Sequence, residues 1–336
     1  MVLQALVVVS AILSLASASP VKRKDAIPQF VLDYAPLVYL HSQDPYRPSD
    51  LMDTIRNTKP EVNFSVVNSG PLDLNNLDTL NNLGGENVYL TSNEDVTKNP
   101  TWLNGITPNA NGETENGKTS VILTIDRGNN QLDAYYFYYY AFNWGGLVLG
   151  HLNLGNHVGD WEHNMIRFQD GKPTQVWYSQ HASGQAFTWD ALSKEGQRIL
   201  AFSGNGSHAV YSREGESAHT IPGTSFPWQG VLTDYTDKGP KWDPTKAAYF
   251  YKYDLASQVF TPYESSSPVA YLNYNGRWGD QEYPEDDPRQ FNLFGNPRYS
   301  SGPNGPKFKS LDRKKICPGD PCIVMPFIAK RDFEER

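Results

Sequence analysis

Apolar and polar positions alternate with period two over most of this chain, a pattern that predicts strands. Such runs cover residues 30–40, 61–67, 120–125, 132–144, 161–168, 174–180, 209–212, 248–253 and 269–273. The 132–144 run carries Tyr135, Tyr136, Phe137, Tyr138, Tyr139, Tyr140 and Phe142 in one sweep. Tyrosine has an apolar body and a polar tip, which suits core and the lining of a groove. Between the runs lie turns rich in Gly, Asn, Asp and Pro. Helical spacing is scarce. Residues 49–58 predict a short helix, the leucines at 72, 74, 77, 80 and 83 make a weak stripe over 72–83, and 191–200 is a third candidate. The expected fold is mainly β: an antiparallel β-sandwich with long loops and a few short helices.

Residues 174–180 follow 161–168 across a short turn containing Gly171, so the two predict an antiparallel hairpin. With its centre near 171, opposed positions sum to about 342. Tyr178 then faces Asn164, Gln180 faces Glu162, and His181 lies near Trp161. That brings His181 to the sheet end that carries Asp160 and Glu162.

This end holds the densest chemistry in the chain: Asn156-His-Val-Gly-Asp-Trp-Glu-His163. Residues two apart on a strand share a face, so Asp160 and Glu162 point the same way, and a turn through Gly159 would fold His157 back toward them. Two carboxylates and an imidazole at one point make a divalent-cation site, and like charges on one face need a counter-charge. The bland alternatives are a turn cap at Asp160, an Arg partner for Glu162 and a core role for Trp161. Five of the seven histidines fall between 157 and 219: His157, His163, His181, His208 and His219. His163 is expected on the face opposite Asp160 and Glu162. Each of these imidazoles has a hydrogen-bonded structural role as its alternative. Ser207-His208 are adjacent and would diverge, and no G-x-S-x-G elbow occurs, which argues against a serine nucleophile. Neither closed Cys/His spacing nor H-E-x-x-H is present, so Ca²⁺ or Mg²⁺ suits the carboxylates better than zinc. The acidic run Asp280, Glu282, Glu285, Asp286 and Asp287 reads as a solvated loop.

The ends and the charge narrow the setting. An apolar run from Ala5 to Leu15 followed by Ala16-Ser-Ala18 predicts a signal peptide over 1–18, and 19–23 reads as a short propeptide ending at Lys22-Arg23. The rest, 24–336, is expected to be a single large domain and a monomer. Trimming after Arg23 leaves 27 basic against 37 acidic residues, a net of −10, which argues against nucleic acid. No further run is long and apolar enough to span a bilayer, and the C-terminus has no hydrophobic tail for a lipid-linked anchor. Asn63 and Asn205 head glycosylation sequons. These features predict the secretory pathway, ending outside the cell or in the vacuole lumen.

Several segments together resemble the vacuolar protein sorting-associated protein 62 family of fungi: Ala35-Pro-Leu-Val-Tyr-Leu-His41, Pro45-Tyr-Arg-Pro-Ser49, Tyr139-Tyr-Ala-Phe-Asn-Trp-Gly145, Gly159-Asp-Trp-Glu-His163, Tyr178-Ser-Gln-His-Ala-Ser-Gly184, Ser207-His-Ala209, Gly276-Arg-Trp-Gly279 and Ser301-Gly-Pro-Asn-Gly-Pro306. The family name records a sorting phenotype and implies no reaction. His157, Asp160, Trp161 and Glu162 also stand at the spacing of the Gly-His-Arg-His-Asp-Trp-Glu heptapeptide of the necrosis- and ethylene-inducing peptide-like toxins. There the His and the two acids help hold a divalent cation in a β-sandwich that engages plant sphingolipid head groups. The resemblance therefore implies a cation at His157, Asp160 and Glu162. Val158-Gly159 replaces Arg-His, however, and Leu149 stands where those toxins carry a further Asp.

Three functions remain open from the sequence. The first is a metal-centred cleft that recognises a glycan or a lipid or glycolipid head group. The second is a glycan-acting hydrolase or lyase, with Glu162 or Asp160 as acid or base and His181 or Tyr178 as proton partner. The third is a non-catalytic sorting protein with a structural metal site. The two cysteines, Cys317 and Cys322, are expected to pair in an oxidising compartment, closing a loop worth roughly 2 kcal/mol. Thiol titration of the unfolded, unreduced protein should therefore find no free thiol.

Overall fold

The computed structural model describes residues 26–148, 152–219, 232–293 and 295–328. The predicted signal peptide and propeptide, and His151, lie outside them. The chain is mainly β. Its centre is an eight-stranded sheet in the order Val259–Pro262, Ala248–Asp254, Ser120–Gly128, Gln131–Asn143, His157–Gln169, Lys172–Gln180, Ser183–Thr188 and Val324–Met325. The inner strands pair antiparallel, whereas Ala248–Asp254 joins Ser120–Gly128 in parallel and Val324–Met325 joins Ser183–Thr188 in parallel. A second sheet runs Lys194–Glu195, Arg198–Ser203, Leu37–Tyr39 and Lys241–Trp242, and Val210–Tyr211 pairs with Arg198–Ser203.

The large sheet is covered on both sides, which explains the aromatic sweep. Tyr135, Phe137 and Tyr139 join Trp161, Met165 and Trp177 on one face, packed against Leu51, Ile55, Tyr271 and Trp278 from helices and loops. Tyr136, Tyr138 and Tyr140 join Ile166, Phe168 and Val176 on the other, packed against Val38, Leu40, Ile199 and Trp242 of the second sheet. The sandwich therefore has a third layer, and six consecutive aromatic residues are all buried. Their hydroxyls find internal partners: Tyr136 donates to the Val31 carbonyl (2.6 Å), Tyr138 to Asn164 (2.8 Å) and Tyr139 to Thr54 (2.9 Å). Tyr135 to Tyr140 are thus core on both faces rather than groove lining.

The expected hairpin forms in the expected register, with Tyr178 opposite Asn164 and Gln175 opposite Arg167. Four expectations are corrected. Residues 30–40 split into a helix, Gln29–Asp33, and a strand, Leu37–Tyr39, because Pro36 intervenes. Residues 191–200 turn back as a hairpin at Gly196, whose φ of +62° suits a turn, rather than forming a helix. The stripe over 72–83 becomes a 3₁₀ turn, Leu77–Asn82, and 269–273 forms a one-turn helix, Ala270–Asn273, that buries Tyr271 and Leu272 together. The 49–58 helix appears as Leu51–Asn57. The acidic loop is not wholly solvated either. Asp280 is buried, accepting from the Ser92 amide (2.7 Å) and the Tyr283 hydroxyl (2.6 Å).

Cys317 and Cys322 are disulfide-bonded. Asn63 sits exposed at the tip of a hairpin, whereas Asn205 is half-buried and its sequon serine, Ser207, is buried. No helix among the described residues is long and apolar enough to cross a membrane.

Where His157–Gln169 meets the Gly276-Arg-Trp-Gly279 segment, backbone touches backbone. Gly159 has φ +68°, and a Cβ there would fall 1.7 Å from the Trp278 carbonyl oxygen. A Cβ on Gly279 would fall 1.9 Å from the Val158 oxygen. Gly159→Ala should therefore lose more than about 3 kcal/mol of stability, from strained φ and the clash together. Denaturant unfolding reads this loss, and an unchanged midpoint would contradict the close approach.

Candidate functional site

The His157–Gln169 strand runs antiparallel to Gln131–Asn143, with Asn143 opposite His157, Tyr140 opposite Asp160 and Tyr138 opposite Glu162. Strand alternation puts Asp160 and Glu162 on one face, as expected, and that face is the one the second sheet covers. His163 takes the other face, where it packs on Phe137 (5.3 Å) and lies 3.4 Å from Arg313. This part of the site was legible in the sequence.

The partners of the carboxylates were not. Asp160 faces His208, with Nδ1 at 3.0 Å. The Nε2 of His208 lies 3.4 Å from the Asp44 carboxylate and 3.3 Å from the Tyr46 carbonyl. The ring is fully buried and stacks on Tyr140, with centroids 3.7 Å apart and planes at 6°. Burial alone would lower the His208 pKa, yet hydrogen bonds and charge from Asp160 and Asp44 raise it to about 9. Asp160 is likewise opposed by burial, and the His208 contact holds it below its ordinary value. A carboxylate–imidazolium–carboxylate bridge thus joins the strand to the loop carrying Asp44. Asp44 is itself anchored by the amides of Tyr46 (2.8 Å) and Gly206 (2.9 Å).

Among the described residues no salt bridge reaches Glu162, although the charges of Lys309 and His181 favour its ionised form. Glu162 is 5% exposed and accepts a hydrogen bond from Ser179, whose oxygen also accepts from the His163 amide. Burial first and the Asp160 charge second push its pKa up to about 7. His181 follows the strand in a turn (φ +53°), beyond Tyr178, the last residue paired with His157–Gln169, and lies close enough that Asp160 and Glu162 act on its charge. Its Nε2 lies 2.7 Å from Asp234, which also accepts from Ser207 (2.6 Å) and Tyr211 (2.5 Å). Burial opposes the charge on His181, but the Asp234 bond wins and raises its pKa. With its side chain 31% exposed, His181 is the member of the cluster most open to solvent. Gln180 completes this end by donating to the Val210 carbonyl (3.0 Å).

Two candidates fall away. Tyr178 is core: its ring is fully buried and its hydroxyl donates to the Leu200 carbonyl (2.9 Å). Ser207 is bound to Asp234 and His208 to Asp160, so they form no nucleophile–base pair. The side chain of His219 lies outside the described residues. The expected cation ligands do not close on one point. His157 directs Nδ1 at the Gly159 carbonyl (2.6 Å), Asp160 faces His208 and Glu162 faces Ser179. Among the described residues no group of three His, Cys, Asp or Glu side chains could hold a metal. In this arrangement the residues do not fit the cation, and the imidazolium of His208 supplies the counter-charge to Asp160.

Sequence reasoning missed Asp44, Ser179 and Asp234. Asp44 and Asp234 are isolated acids without local motif, and only chain folding brings them to the histidines.

The profile of the vacuolar protein sorting-associated protein 62 family matches residues 118–286. That span contains every member of this cluster except Asp44. Putative vacuolar protein sorting-associated protein TDA6 of Saccharomyces cerevisiae is 36% identical over 327 residues, covering 87% of this chain and 69% of the relative. Vacuolar protein sorting-associated protein 62 of the same yeast is 33% identical over 325 residues, covering 88% and 68%. Among solved structures, necrosis and ethylene inducing protein 2 from the causal agent of cocoa's witches' broom disease aligns at 12% identity and a TM-score of 0.27, over 55% of this chain and 68% of that one. The non-toxic HaNLP3 protein aligns at 11% and 0.28, over 70% and 83%. At such values these structures carry no argument about function.

The shifted groups give stability a definite pH slope. Glu162 binds its proton more tightly folded than unfolded, so its contribution is full below its ordinary 4.5 and is lost as pH rises through about 7. His208 acts in the same direction between 6.5 and about 9. Below pH 6.5 His157 and His163, whose pKa values burial lowers, oppose this slope, but above 6.5 they are neutral in both states, so melting temperature should fall from pH 6.5 to pH 9. Glu162→Gln should flatten the lower half of that fall and stabilise the protein at pH 8 relative to wild type. A wild-type profile flat over this range would refute the assignment.

Proposed function

The chain belongs to the vacuolar protein sorting-associated protein 62 family, and from that footing we propose that it is a vacuole-associated protein of the secretory route. In this reading the end of the sheet carrying Asp160, Glu162 and His181 recognises a glycan or a lipid head group. The observation that carries the reading is the geometry around Glu162, a buried carboxyl bonded to Ser179 beside an Asp160 that His208 contacts, where burial and the Asp160 charge push the Glu162 pKa up to about 7. A carboxyl in that state donates or accepts a hydrogen bond according to its proton, and a ligand rich in hydroxyls offers both complements. His181, fixed by Asp234, adds a charged donor at the exposed rim. The two carboxyls differ in protonation because their environments differ, which supports a second reading, a glycan-acting hydrolase or lyase. There Glu162 is the acid and Asp160 the base or nucleophile. A family member that only takes part in sorting would bind and turn over nothing at this end.

The test is a screen of the purified protein on immobilised glycans, glycolipid vesicles and plant and fungal wall polysaccharides, with product detection, at pH 5 and pH 8, with and without chelator. Binding should weaken at least about tenfold in Glu162→Gln, the usual effect of losing a charged hydrogen-bonding group. Binding without products selects recognition, and new reducing or unsaturated ends select the enzyme. Chelation should leave binding unchanged. Loss of binding on chelation, restored by Ca²⁺ or Mg²⁺, would bring back the cation at His157, Asp160 and Glu162. No binding and no turnover on any substrate would overturn both ligand readings.

A further inference from the structure

A second polar depression lies on the opposite face of the central sheet. Its smaller lobe, about 200 Å³, is walled by Trp102, Asp50, Asp53, Thr101 and Ile106. A larger lobe of about 600 Å³ lies beside Tyr249, Asp73, Asn75, Asn116 and Lys246. Asp50 lines both lobes. The floor belongs to the face of Tyr139, whose hydroxyl donates to Thr54 (2.9 Å), whereas Glu162 points to the other side. The two sites are therefore separate.

The walls are built into the fold. Residues 47–50 are tied down by the Arg47 amide on the Asn104 carbonyl (2.9 Å), the Ile106 amide on the Pro48 carbonyl (2.8 Å) and the Ser49 amide on the Tyr139 carbonyl (2.8 Å). Asp50 accepts from the Lys118 amide through one oxygen (2.9 Å). A pre-formed wall lowers the ordering cost of binding.

Charge selects the ligand. The large lobe is lined by three acids, Asp50, Asp73 and Glu113, and three bases, Arg56, Lys118 and Lys246, so it has no net charge. The bases are engaged. Arg56 lies 2.8 Å from Asp53 and 4.0 Å from Asp50, Lys118 donates to the Ala248 carbonyl (3.2 Å) and Lys246 to the Asn111 carbonyl (2.6 Å). Neither an anion nor a metal ion is matched by such a rim. Each lobe instead offers one aromatic side chain, Trp102 or Tyr249, among hydrogen-bonding groups, and Lys118 Nζ lies 5.5 Å over the Tyr249 ring. A sugar ring has apolar C–H faces and a hydroxyl edge, and it complements an aromatic face with a polar rim.

We propose that these adjoining lobes bind a neutral oligosaccharide, with one ring against Trp102, the next against Tyr249, and Asp50 accepting from hydroxyls at the junction. The proposal does not depend on the reading of Glu162.

Calorimetric titration of the full chain with cellobiose, laminaribiose, chitobiose and mannobiose tests it. At least one disaccharide should bind saturably. Asp50→Asn should weaken it about tenfold, and Trp102→Leu should weaken it at least as much. Circular dichroism melts check that the variants fold. If Trp102→Leu does not fold, Tyr249→Leu replaces it and should show the same loss. Failure of all four disaccharides to bind would overturn the proposal. So would binding that survives Asp50→Asn and the aromatic variant.

Discussion

Two thirteen-residue strands, Gln131–Asn143 and His157–Gln169, pair at the centre of a sheet that is covered on both faces. Nearly every side chain on them is buried, whichever way it points. Alternation thus no longer sorts polar from apolar, and polar groups on this ladder need partners inside the protein; most find one, while Trp161 Nε1 and His163 Nδ1 stay without a hydrogen bond among the described residues. A buried donor or acceptor left unpaired costs about 1–3 kcal/mol. The tyrosine hydroxyls satisfy this requirement one by one. Asp133 does so near the far end of the ladder, gripped by Arg127 (2.6 Å) and by Arg167 (2.8 Å).

At the near end the same constraint shapes the chemistry. Asp160 and Glu162 are placed side by side on one face, and two buried anions there repel each other. The fold relieves this in two ways. His208 enters as a cation between Asp160 and Asp44, and Glu162 is pushed toward its neutral form. A metal ion is the other common solution to two facing carboxylates. Here an imidazolium occupies the position of the counter-charge. It is delivered by a loop residue with φ +54°, a conformation a β-strand does not adopt.

The segment from Asp44 to Asp50 ties together the two polar regions of the molecule. Its first residue holds His208, Tyr46 packs on Phe142 (4.9 Å), and its last residue lines both lobes on the opposite face. A strap that crosses the end of the central strands and touches both faces leaves neither region free to shift independently of the ladder. The family resemblance ran through Pro45-Tyr-Arg-Pro-Ser49 without giving these residues a task. The structure gives the segment one.

Local pattern determined a good deal on its own. Period-two alternation gave the mainly β class and the central strands, the Gly171 turn gave the hairpin and its register, and parity put Asp160 and Glu162 together with His163 behind them. These are properties of a strand and its neighbour, so short-range spacing contains them. The third layer, the helix where 30–40 read as strand, the hairpin where 191–200 read as helix and the burial of Tyr178 were not in the pattern. Nor were Asp44 beside His208 and Asp234 beside His181, pairs separated by 164 and 53 residues. Periodicity tells which side of an element a residue takes but not what lies across from it. Partner identity, and with it the charge of each carboxyl and imidazole, is decided only when distant segments pack against the ladder and exclude water from it.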